Sequence, residues 1–132
     1  MTRLTADDAA DLVFDCLSRM DPTIDEACQD TGMARSQWHN GLGRFKDYWA
    51  AEKTCPYTYD PVTGRYSLAL DEDEVRRYLL LRMKIAAKQM ERLRTGTLNP
   101  AADKFDSPQL RRIVRHVRVC AEEIDDLIGE LA

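Results

Sequence analysis

Few of the residues that build metal or catalytic centres are present. The chain has two histidines and four cysteines, and His39 and His116 lie far apart while Cys16, Cys28, Cys55 and Cys120 form no close pair. A zinc site needs several such ligands to converge, so none is expected. The 6 glycines nowhere form a phosphate-cradling loop, and no serine, histidine and acid arrangement can be inferred. The expectation is therefore a protein that is no enzyme and carries no cofactor. No apolar run approaches the length that spans a bilayer, and the opening MTRLTADDAADL is acidic where a secretory signal is basic and then apolar. A cytoplasmic protein without a membrane partner is expected. Positive charge is also short, the net charge being -4.

What is there is an ordinary globular balance, 44% hydrophobic and 32% charged over 132 residues. That length supports one modest core with a helical appendage. Charge is unevenly spread. Residues 1–33 hold Asp7, Asp8, Asp11, Asp15, Asp21, Asp25, Glu26 and Asp30 against two arginines, whereas 34–53 hold Arg35, Arg44, Lys46 and Lys53 against Asp47 and Glu52. A locally basic face can bind phosphates on an acidic protein, more firmly as a dimer. Cys16, Cys28 and Cys120 fall on apolar helical stripes, where a thiol acts as a small hydrophobe. Cys55 is expected to be the partly exposed one.

The stretch from Thr23 to Trp49 organises the rest. Thr23 is read as the cap of a first helix, with Glu26 as its reciprocal partner, Ile24, Ala27 and Cys28 as the buried stripe and Gly32 as the stop. A second helix from about Ala34 or Arg35 buries Trp38, Leu42 and Phe45, and Met33 plugs the corner. Arg35, Ser36, Gln37, His39 and Asn40 are left mostly on its outer side. Arginine, asparagine and glutamine suit the edges of guanine and adenine, and serine can fix a phosphate.

The run Cys28, Gly32, Met33, Ala34, Gln37, Trp38, Asn40 and Leu42 resembles the helix-turn-helix pattern of bacterial and phage repressors. Trp38 stands where valine or isoleucine is usual, and Ala34 where serine is, which removes one cap. From Cys55 the pattern becomes CPYTYDPVTGRYSLAL: Tyr57 and Tyr59 alternate with Thr58, Asp60 to Gly64 carry turn chemistry, and Tyr66, Leu68 and Leu70 alternate with Ser67 and Ala69. A two-stranded hairpin directly after such a helix pair resembles the winged-helix class of DNA-binding domains. That resemblance implies a wing in which Arg65 reaches a phosphate or the minor groove and Thr63 donates to a backbone oxygen.

Elsewhere, Thr5 to Met20 reads as a scaffold helix with Leu4, Ala9, Leu12, Val13, Cys16, Leu17 and Met20 at helical spacing. Asp71 and Glu74 cap a long helix reaching about Arg94, with an apolar stripe through Leu79, Met83, Ala86, Met90 and Leu93. Thr95 to Asp106 reads as an irregular link. Ser107 and Pro108 then open a last helix, with Leu110, Val114, Val117, Ala121, Ile124, Ile128 and Leu131 at four-three spacing beside Ile113, Cys120 and Leu127. That helix is basic at its start and acidic at its end. Pairing between chains, basic half near acidic half, avoids the like-charge contacts of a simple hairpin with the long helix.

The fold class expected is therefore mainly α. A winged helix-turn-helix head over 1–70 carries a two-stranded hairpin, and two long C-terminal helices over 71–132 form a homodimerisation region through Leu79, Met83, Met90 and the last helix's stripe. The function expected is sequence-specific binding of double-stranded DNA by a transcriptional regulator or repressor. Arg35, Gln37 and Asn40 take base edges, while Ser36, His39, Arg44, Lys46 and Arg65 take phosphates. Two alternatives stay open. Small phage packaging or replication accessory proteins resemble this layout, and a winged helix without DNA could bind a protein partner.

Overall fold

A computed structural model describes residues 4–132. It is mainly helical, with one small hairpin, and the chain divides between Val75 and Arg76 into two compact units. The order is α1 (Ala6–Arg19), α2 (Ile24–Thr31), α3 (Arg35–Arg44), a π-turn (Phe45–Trp49), α4 (Ala50–Glu52), β1 (Tyr57–Asp60), β2 (Arg65–Leu68), α5 (Glu72–Leu93), a second π-turn (Arg94–Leu98), α6 (Asn99–Phe105) and α7 (Pro108–Leu131).

Local chemistry sets most helix ends in the first unit. The Thr5 hydroxyl accepts from Asp8 N and the Asp8 carboxylate accepts from Thr5 N, at 3.1 and 3.2 Å, which closes a capping box on α1. Thr23 caps α2 by accepting from Glu26 N at 3.3 Å, but the expected return contact from Glu26 is replaced, because its carboxylate turns to Arg65. Gly32 ends α2 with φ 75°, a left-handed conformation that costs other residues about 1–2 kcal/mol. The cap that Ala34 cannot supply to α3 is partly made good by Gln37, whose Oε1 accepts from Ala34 N at 2.9 Å.

The core lies between α1 and α3. Ala10, Val13, Cys16, Ala27, Trp38 and Phe45 are fully buried, and Met33 plugs the corner at 3% exposure. Trp38 also joins α3 to the hairpin, its indole meeting the Tyr66 ring edge-on at 5.5 Å. Truncating a tryptophan so enclosed costs about 3–5 kcal/mol. Strands β1 and β2 are antiparallel, with Tyr57 opposite Leu68 and Asp60 opposite Arg65. Their turn is closed by Gly64 N donating to Asp60 O at 2.7 Å, with Gly64 at φ 71°. The hairpin is held to the head because Tyr66 N donates to Pro22 O at 2.9 Å and Ser67 Oγ donates to Asp21 Oδ1 at 3.0 Å. Leu70, which continues the alternation of Tyr66 and Leu68 in the sequence, is 92% exposed, the pairing ending one residue earlier where Ala69 N donates to Pro56 O at 2.8 Å. Asp71 then opens α5, its Oδ1 accepting from Glu74 N at 2.9 Å.

In the second unit the expected irregular link over Thr95 to Asp106 is largely helical. A π-turn carries α5 directly into α6, with Pro100 in the first turn of α6. Asp106, at φ 46°, turns the chain before Ser107 caps α7 by accepting from Leu110 N at 3.3 Å. Along α7 the half-buried residues include Leu110, Val114, Val117, Ala121, Ile124, Ile128 and Leu131, the four-three stripe expected from the spacing. On α5, Met83 and Met90 are half-buried, while Leu79 is 38% exposed with Leu80 and Leu81 half-buried beside it. Cys120 is exposed rather than packed, because it falls on the flank of the stripe instead of along it.

Candidate nucleic-acid interface

Helix α3 has two faces of opposite character. Trp38, Gly41 and Leu42 are buried, whereas Arg35, Ser36, Gln37, His39 and Asn40 are all exposed. The division follows from close contact between α1 and α3. A Cβ placed on Gly41 would stand 2.8 Å from the backbone C and O of Ala9 and 2.9 Å from its Cβ, so only glycine permits this approach. The sequence pattern does not single out Gly41. The available signal is a glycine between Trp38 and Leu42, on the buried side of a helix where alanine would be the better helix former.

The basic side chains of the proposed face already have partners. Arg35 Nη2 lies 2.6 Å from Asp25 Oδ1, and Arg44 Nε donates to Asp7 Oδ1 at 2.9 Å while its guanidinium lies 4.0 Å from the Tyr48 ring centre. The Asp7 carboxylate raises the Arg44 pKa. Arg65 Nη1 donates to Asp21 O at 2.7 Å and to Glu26 Oε2 at 3.2 Å. Lys46 Nζ stands 5.1 Å from the Tyr57 ring centre. Asp7, Asp25 and Glu26 are thus counter-ions within the site, a role their scattered sequence positions do not reveal. Thr63 is exposed in the hairpin turn, beside Val62 at 91% exposure.

These pairs join exposed groups. A surface ion pair contributes roughly 0–1 kcal/mol, small enough for a phosphate to displace the carboxylate. The expected contacts converge only in part: Arg35, Ser36, His39 and Asn40 share one exposed helical surface, whereas Arg65 is clamped to the α1–α2 turn at the base of the hairpin.

A separate polar cluster ties α1 to α2. Arg19 Nη2 bridges Asp30 at 2.7 Å and Asp15 at 3.1 Å, and the Arg19 guanidinium holds the Asp30 carboxyl below its usual pKa. Burial, reinforced by the nearby Asp30, pushes the Cys16 thiol up to about 12, which keeps it protonated and unreactive at neutral pH.

Among the described residues no group of three or more His, Cys, Asp or Glu side chains is placed to hold a metal ion, and no helix is long and apolar enough to cross a membrane. No protein-family model, curated protein or solved structure matches the chain. The class defined by the fold is a helix-and-hairpin head joined to a second helical unit, an architecture compatible with a DNA-binding fold.

Proposed function

We propose that the protein is a sequence-specific binder of double-stranded DNA that regulates transcription as a homodimer. The observation carrying this reading is the polar outer face of α3, with Arg35, Ser36, His39 and Asn40 exposed while Trp38, Gly41 and Leu42 fix the opposite face. Each subunit inserts that face into a major groove, with Arg35 and Asn40 at base edges and Ser36 and His39 at phosphates. Gln37 pairs bidentately with an adenine edge only by giving up the bond that its Oε1 accepts from Ala34 N. The hairpin turn with Thr63 lies on the backbone, and Arg65 joins it by exchanging Glu26 for a phosphate.

The test is a binding titration with selected and random duplexes. Asn40→Ala and Arg35→Ala each reduce discrimination at one base position by about 1–3 kcal/mol. Unchanged selectivity in both variants, with helicity intact, overturns the assignment of the reading face.

A second reading is favoured by the ion pairs that neutralise Arg35, Arg44 and Arg65 and by the exposure of Tyr48. On that reading the head binds a protein. Retention of a partner protein, with no retention of any duplex at low salt, selects it over DNA binding.

A further inference from the structure

Helix α7 carries two apolar stripes, one half-buried and one open. Leu110, Val114, Val117, Ala121, Ile124, Ile128 and Leu131 are half-buried. Turned back around the helix from them, at seven-residue intervals, stand Ile113, Cys120 and Leu127: Ile113 and Leu127 are 37% and 42% exposed, and Cys120 is exposed as well. At 100° per residue these three lie within about 20° of a common line, with His116 and Glu123 flanking them on the side away from the half-buried stripe. Val119, 49% exposed, widens the open surface on that same side.

The distribution of residues along this surface identifies its occupant. The midpoint of Pro108–Leu131 falls between Val119 and Cys120, so Cys120 sits at the centre of the helix with Ile113 and Leu127 equally far on either side. Charge is arranged about the same centre. On the flank beside this surface Arg112 precedes the centre and Glu123, Asp126 and Glu130 follow it, while Arg111, Arg115, Arg118, Glu122 and Asp125 lie on the far side of the helix. A surface that is apolar along its middle and of opposite charge in its two halves complements a reversed copy of itself. Parallel pairing would instead place basic half on basic half.

We propose that α7 pairs antiparallel with α7 of a second copy of this chain, about a two-fold axis passing beside Cys120. This rests on the homodimer in the reading above and adds its register. Ile113 packs on Leu127 of the partner subunit, and Cys120 faces Cys120 of the partner subunit. His116 lies beside Glu123 of the partner subunit, and Arg112 reaches Asp126 of the partner subunit. The half-buried stripe stays within each chain, so pairing requires no helix to unfold. Antiparallel alignment also sets the two helix dipoles head to tail.

The experiment uses the full chain carrying Cys28→Ser and Cys55→Ser, with Cys16 left buried. A short bis-maleimide, which forms one thioether with each thiol, is expected to convert the dimer into a linked species of twice the chain mass. Cys120→Ser is expected to abolish that species. Sedimentation read in parallel is expected to show a dimer, with Ile113→Glu raising its dissociation constant about 100-fold or more because the change enters the interface twice. Arg112→Glu weakens the dimer, and Arg112→Glu with Asp126→Arg restores it. Circular dichroism of Ile113→Glu verifies that helicity is kept. Should the chain be monomeric at all concentrations, the homodimer itself fails. A dimer that gives no Cys120 link and is indifferent to Ile113→Glu overturns the register while leaving the homodimer standing. An assembly of three or more subunits overturns the closed pair.

Discussion

Arg35, at the first position of α3, lies 2.6 Å from the carboxylate of Asp25 in the first turn of α2, so the leading cation of the proposed reading face is met by an anion from the preceding helix. Both side chains are largely exposed, at 66% and 80%. The pair therefore adds little to stability, and its effect falls on what Arg35 can bind. Asp25→Asn is expected to raise affinity for duplex DNA by about 2- to 5-fold at low salt and to steepen the salt dependence. The gain should shrink when Arg35→Ala is already present. Equal affinity of Asp25→Asn and the parent chain at low salt would show that Arg35 does not face the duplex.

Gly41→Ala tests the packing that aims α3. The added methyl group has backbone rather than a flexible side chain in its way, since Ala9 C and O would lie 2.8 Å off. Alanine is the better helix former by about 1 kcal/mol, so propensity alone predicts a gain. Overpacking opposes it at about 1–3 kcal/mol and is expected to win, lowering the thermal midpoint. Gly43→Ala is the control, because nothing lies within 4 Å of its Cβ position and the same propensity gain goes unopposed. A Gly41→Ala midpoint at or above that of the parent would refute the tight crossing.

The contrast between these two sites shows what the sequence makes legible. Helix starts at Thr5, Thr23 and Ser107 and the stop at Gly32 are readable because the cap and its partner lie within a few residues of each other. The two faces of α3 follow from periodicity, and the hairpin from alternation around Asp60 to Gly64. The partners of the basic residues do not, since Arg44 meets Asp7 and Arg65 meets Glu26 across separations of 37 and 39 residues. Such pairs exist only once α1, α3 and the hairpin have docked. The link from Thr95 to Asp106 is misleading because Gly96 and Pro100 signal breaks. Both instead lie within one helical run that passes from α5 through the π-turn into α6.

Acid stability is expected to depend on Arg19 and Asp30. The Asp30 carboxyl has a lower pKa folded than unfolded, so the folded chain holds fewer protons in that window. Its contribution is complete above the ordinary carboxylate range, near pH 4, and is lost as pH falls through the depressed value. Asp30→Asn should therefore lower the thermal midpoint at neutral pH and flatten its decline on acidification. Cys16 acts at the other end, with the opposite sense. Because its thiol is raised from 9.0 to about 12, the unfolded chain releases that proton first, and stability falls as pH rises through this interval. Cys16→Ala should flatten the alkaline limb while costing stability at pH 7. Parallel limbs in parent and variant would dismiss each assignment.

Arg65 has two roles to separate, as a clamp of the hairpin and as a ligand for DNA. As a clamp it donates to Asp21 O at 2.7 Å, a bond that does not involve the Glu26 carboxylate, so the two partners can be removed independently. Glu26→Gln keeps the carbonyl contact and the Tyr66–Pro22 backbone bond while releasing the guanidinium charge. Arg65→Ala removes both side-chain contacts. If the hairpin uses Arg65 on a phosphate, Glu26→Gln strengthens DNA binding, and Arg65→Ala weakens it and reduces the salt slope by about one counterion. If Arg65 is only a clamp, binding at a temperature well below either midpoint is the same in both variants and only the midpoints move. The salt slope decides between these outcomes because it counts displaced ions, which a purely structural loss leaves unchanged.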